Sequence, residues 1–156
     1  MLSDLLPLGG LIFDPSGNLY GTTYEAGNLA DCRKQGCGTV FELSPVAGGG
    51  WSETTIHTFI SGTDGANPEA SLLRDASGNL YGTTSAGGGK GGMVFELLPG
   101  SGGTWTEKII YAFKGPTTDG QNPGYGPLIF DAAGNLYGTT LAGGPLGYGT
   151  VYKIRP

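Results

Sequence analysis

Gly17-Asn18-Leu19-Tyr20-Gly21-Thr22-Thr23 returns unchanged as Gly78-Asn79-Leu80-Tyr81-Gly82-Thr83-Thr84 and as Gly134-Asn135-Leu136-Tyr137-Gly138-Thr139-Thr140. The copies start 61 and 56 residues apart. A long motif returning at such a period marks an array of like supersecondary units. Each copy follows a short apolar stretch ending in aspartate: Leu11-Ile12-Phe13-Asp14, Ser71-Leu72-Leu73-Arg74-Asp75 and Leu128-Ile129-Phe130-Asp131. The aspartate and the Gly-Asn pair predict a turn, with the carboxylate accepting backbone hydrogen bonds across it.

Working outward, each unit reads as short strands joined by turns. After the Leu-Tyr-Gly-Thr-Thr strand comes a third strand, at Gly38–Leu43, Gly92–Leu97 and Gly149–Ile154. Trp51–Phe59 and Trp105–Phe113 are fourth strands, and the third unit ends at Pro156 without one. A two-residue period puts Trp51, Glu53, Thr55, His57 and Phe59 on one face. Trp105, Glu107, Ile109, Tyr111 and Phe113 take the equivalent face, with Ile56 and Ile110 opposite. The expected fold is all-β: β-propeller blades of four antiparallel strands, about three per chain, the last incomplete. Residues 1–10 form a lead-in. The repeat array covers 11–156, divided into 11–70, 71–126 and 127–156.

Composition bounds the function. Glycine supplies 32 residues and proline 10, without the strict triplet of collagen. Net charge is −5 and no basic run exists, so a nucleic-acid partner lacks its electrostatic footprint. No apolar stretch reaches spanning length, so membrane insertion is not expected. The opening residues 1–7 lack the basic start and long apolar core of a signal peptide, and no anchor segment is read. The 14-residue loop Tyr24–Cys37 holds both cysteines, Cys32 and Cys37. Two cysteines cannot make a four-ligand zinc site; a local disulfide in an oxidising compartment is the preferred reading, and two free thiols in a cytosolic protein are the bland one.

The pattern Asp-x-x-Gly-Asn-Leu-Tyr-Gly-Thr-Thr, then Gly-Thr-Val-Phe-x-Leu-x-Pro, resembles the GloVer repeats of bacterial choice-of-anchor tandem-repeat proteins. The match runs through Asp14–Thr23 with Gly38–Pro45, Asp75–Thr84 with Gly92–Pro99, and Asp131–Thr140 with Gly149–Pro156. Asp64-Gly65-Ala66-Asn67-Pro68 and Asp119-Gly120-Gln121-Asn122-Pro123 form a further shared element between units. The resemblance implies an exported bacterial protein displayed at the cell surface, and it brings no catalytic residues. A looser likeness exists to NHL-type and lactonase-type propellers.

Candidate site residues follow from position. Asp64, Asn67, Asp119 and Asn122 lie on connections between units, where propellers present ligand contacts. The bland reading is a turn fixed by proline. Tyr20, Tyr81 and Tyr137 could stack on sugar rings. The bland reading is packing between units. Asp14, Asp75 and Asp131 offer one carboxylate per turn, which favours a turn role over calcium. His57 has Tyr111 as its counterpart, which favours a packed aromatic position over a general base. Glu53 and Glu107 lie a unit apart and are not brought together by the sequence. No catalytic residue, metal site or cofactor is assigned.

The function expected is a non-enzymatic extracellular module for structure, display or self-assembly. A carbohydrate-binding, lectin-like propeller is the alternative. A lactonase or lyase with a channel metal comes third, because titratable residues are few. The partner expected is the chain itself, a dimer closing six blades or a higher assembly, with a glycan as the other candidate. Leu5 and Leu6 are candidates for an edge strand across such a join.

Overall fold

The computed structural model describes residues 6–89, 91–117 and 119–156. The first unit is an antiparallel sheet in simple order: β1 (Ile12–Phe13), β2 (Leu19–Thr23), β3 (Thr39–Pro45) and β4 (Trp51–Thr58). The second repeats it with β5 (Leu73–Arg74), β6 (Leu80–Thr84), β7 (Met93–Pro99) and β8 (Trp105–Ala112). Then come β9 (Gly120–Gln121), β10 (Ile129–Phe130), β11 (Leu136–Thr139), β12 (Ala142–Gly143) and β13 (Val151–Ile154). Strands β10, β11 and β13 form a three-stranded sheet, while β9 and β12 pair apart from it. No α-helix occurs among the described residues; the helical turns are three short 3-10 pieces.

The aspartate turns form as the residue types dictate. Asp14 Oδ1 accepts the N–H groups of Ser16 and Asn18, and its Oδ2 accepts the Asn18 amide. Asp75 and Asp131 repeat the pattern with Asn79 and Asn135. Hydrogen bonds from the Asn135 side chain and backbone hold the Asp131 carboxyl down at about 2. The turn glycine takes a positive φ in each copy, 89°, 93° and 79° for Gly17, Gly78 and Gly134, which glycine adopts without penalty.

Two expectations about the strands are corrected. The third strands of the complete units run through Pro45 and Pro99 instead of stopping before them. The prolines pair with Trp51 and Trp105 at the mouth of the hairpin, at a strand end where a missing N–H is tolerated. The second correction concerns the faces of the fourth strands. Phe41 pairs with Thr55 and Val40 with His57, so β4 spends an extra residue, Ile56, against one step of β3. The same β-bulge lies between Val94 and Phe95, where β8 spends Ile110. A bulge breaks strict alternation. Thr55 and His57 sit opposite consecutive residues of β3, so they lie on opposite faces.

The bulge decides where the core sits. Trp105 and Ile109 pack back onto the first unit, with Tyr20, Val40, Phe59, Leu80 and Phe95. Beyond the bulge, Ile110, Tyr111 and Phe113 pack forward onto the third unit, with Leu128, Leu136 and Tyr152. Both apolar clusters therefore lie between sheets. Edge-to-face ring pairs mark each junction, Phe59 with Phe95 and Tyr81 with Phe130.

The connections between units follow one path. Asn67 N–H donates to Cys37 O and Ser85 N–H to Asn67 O; Asn122 N–H donates to Gly91 O and Leu141 N–H to Asn122 O. Asn67 and Asn122 take the left-handed conformation, each with φ 59°, which asparagine tolerates better than most residues. Leu6 occupies the matching place before Pro7, with φ 40°, and its carbonyl accepts Tyr24 N–H. Leu6 is thus bonded within its own unit, where the sequence suggested an edge strand; Leu5 lies outside the described residues.

Gly82 shows why the motif needs its inner glycine. A Cβ there would run into the Phe95 ring, which is fully buried and has no room to retreat. Gly82→Ala is expected to cost about 1–3 kcal/mol by overpacking, measured as a lower denaturant midpoint with an unchanged slope.

Candidate functional site

The bulge brings three titratable side chains together at the first junction. His57 stands on β4 just past it and faces the second unit. Glu107 stands on β8 before the second bulge and faces back. Asp64 comes from the connection between them. His57 Nε2 lies 3.6 Å from Asp64 Oδ1 and 3.6 Å from Glu107 Oε1. One donor atom from each residue lies within 4.8 Å of the others. The two separations from His57 are too long for hydrogen bonds. The two side chains keep 17% and 14% of their exposure, but Nε2 of His57 and Oε1 of Glu107 are shut off from solvent and have no hydrogen-bond partner. The other oxygen of Asp64 accepts Ile60 N–H at 2.8 Å, which fixes the carboxylate. The edge of the Phe59 ring contact, 4.5 Å between centroids, fixes the imidazole.

Electrostatics matches this crowding. Burial first, and the Asp64 carboxylate as hydrogen-bond partner and as charge second, push the Glu107 carboxyl up to about 9. Burial lowers the His57 pKa against the pull of Asp64. At neutral pH, without a further cation, the imidazole is neutral and Glu107 keeps its proton.

The second junction solves the same problem differently. Tyr111 replaces His57, and its hydroxyl donates to Asp119 Oδ2 at 2.6 Å. Burial works against the Asp119 charge, but bonds from Tyr111, Gly120 and Lys114 hold its carboxyl below the usual range. The hydrogen bond to Asp119 raises the Tyr111 pKa in turn.

The other sequence candidates are dispersed. Asp64 and Asp119 belong to different junctions. Asn67 is half-buried, and its amide donates to Tyr24 O at 2.9 Å. Asn122 Oδ1 is buried without a partner. Tyr20 and Tyr81 are buried between units, and Tyr81 donates to Glu96 at 2.7 Å. Tyr137 is half-buried, with Lys153 over its ring at 5.5 Å. Cys32 and Cys37 form the expected disulfide. Glu53 is exposed, while Glu107 is covered, although they hold equivalent places. An open groove of about 530 Å³ lies between the second and third units, with Arg74 and Arg155 among its walls.

Sequence reasoning named His57, Asp64 and Glu107 separately and missed their meeting. The usable signal was the run Ile109-Ile110-Tyr111, three large side chains in a row where a regular strand alternates.

A family model described as the Gloeobacter/Verrucomicrobia repeat matches residues 5–156. The chain belongs to this repeat family. No curated protein matches the chain. The GloVer match spans the units and their connections alike, so the junction residues lie inside the repeat.

The Tyr111 bond can be tested directly. Tyr111→Phe removes one charge-assisted hydrogen bond at a half-buried place and is expected to cost about 1–2 kcal/mol. Equilibrium denaturation measures it, and an unchanged midpoint would show that the bond contributes nothing net.

Proposed function

We propose that the chain is a non-enzymatic, self-associating module of a bacterial surface protein, whose units act as β-propeller blades. The observation that carries this is the contrast between end and inner positions. Leu11 of the first unit is 50% exposed, whereas its counterparts Leu72 and Leu128 are each 3% exposed. Val151 of the third unit is 79% exposed, whereas Val40 and Val94 are each 0% exposed. Positions that build the inner junctions thus lie open at both ends of the row. At the leading end they are joined by the exposed Phe13 and Trp51. At the trailing end, Ile129, Tyr137 and Val151 line a shallow trough.

These two faces are complementary in kind, because the inner junctions already join a leading face to a trailing one. A further unit of the same repeat is therefore the fitting occupant, and for this chain a second copy supplies it. Two chains joined head to tail at both ends give six blades, a number that closes. The Cys32–Cys37 disulfide supports an oxidising location outside the cytosol.

Light scattering coupled to size exclusion tests the proposal. The expected mass is about twice 15.9 kDa, or larger species growing with concentration if the ring stays open. Leu11→Asp and Val151→Asp each place a charge on one joining face and are expected to give folded monomers. A wild-type monomer at micromolar concentration would overturn the self-associating reading.

A further inference from the structure

We propose that His57, Asp64 and Glu107 form a binding site for one divalent transition-metal ion, zinc foremost, which ties the first repeat unit to the second. The donors come from three separate pieces of chain: β4, the connection and β8. Zinc holds nitrogen and carboxylate ligands at about 2.0–2.2 Å, which sets tetrahedral neighbours about 3.4 Å apart. The two 3.6 Å separations around His57 Nε2 lie close to that spacing.

The unpartnered atoms point the same way. Nε2 of His57 and Oε1 of Glu107 are buried polar atoms with no hydrogen bond, and both are directed into the cluster. Buried polar atoms are rarely left so. A neutral imidazole can offer its Nε2 lone pair and two carboxylates can offer two negative charges, which together suit a dication. The Ile60 N–H bond to Asp64 supplies the outer support that metal-binding carboxylates have. A mixed nitrogen and oxygen set of three ligands favours zinc over calcium or magnesium, which take shells of six or more oxygens. Water would complete the coordination.

Among the described residues no second group of this kind occurs, and the second junction shows the difference. Tyr111 closes onto Asp119 with its own hydroxyl, so that carboxylate already has a partner. Cys32 and Cys37 are oxidised and do not compete for metal.

The test uses untagged chain, stripped with a chelator and titrated with zinc chloride by calorimetry. Thermal melting and the visible spectrum of the cobalt form are followed alongside. His57→Tyr copies the second junction and should keep the fold while losing the ligand. Glu107→Gln keeps the shape but cannot supply an anionic oxygen. Glu53→Gln alters the exposed counterpart. One equivalent of zinc, a raised melting temperature and a tetrahedral cobalt spectrum are expected. Affinity should fall at least about tenfold in the first two variants and stay unchanged in the third. No binding with zinc in excess overturns the proposal. So does binding that both His57→Tyr and Glu107→Gln retain, or a preference for calcium or magnesium over zinc.

Discussion

One extra residue in the fourth strand decides how these units assemble. Where Phe41 and Val40 take one step, the neighbouring strand takes two and loses its alternation at Ile56. Without the slip, every other side chain from Trp51 to Phe59 would face the same way. With it, Trp51, Glu53 and Thr55 of that set look back while His57 and Phe59 look forward. The strand therefore packs on both neighbours, and a short sheet with little core of its own becomes part of two cores. The cost is a locally disrupted ladder, which the covered Ile56 and Ile110 offset by burial.

Polar groups follow the same geometry. The forward half of one strand and the backward half of the next meet across the junction, together with the connecting loop. At the second junction they meet as Tyr111 and Asp119, a donor and an acceptor that satisfy one another. At the first they meet as His57, Asp64 and Glu107, and Nε2 of His57 and Oε1 of Glu107 are left without a hydrogen bond. The same backbone thus carries a closed polar contact in one place and an open one in another. Burial without a partner is costly, and it shows in the displaced pKa values of His57 and Glu107.

Much of the fold was legible because the repeat prints its own boundaries. The three heptapeptides, their aspartates and the glycine runs defined the turns, since each depends on local backbone chemistry. The local disulfide followed from spacing and from the want of further ligands. The family was legible for the same reason, as its motif is long and recurs. The bulge was not legible. Strand periodicity assumes equal steps on both partners, and Ile56 and Ile110 are apolar on either reading. That assumption put His57 and Glu107 on equivalent faces of separate units, where they could never touch. Leu6 was hidden for a different reason: its left-handed conformation is expected of asparagine, and only the paths of Asn67 and Asn122 show what it does.

The central claim is that the bulge turns the end of each fourth strand into the core of the next junction. Phe59 lies just past the first bulge and meets Phe95 of the following unit edge to face, 5.3 Å between centroids. A double-mutant cycle on stability, with Phe59→Leu and Phe95→Leu alone and together, measures that contact. The account predicts a coupling of about 0.5–1.5 kcal/mol. Losses that add to within about 0.3 kcal/mol would contradict it.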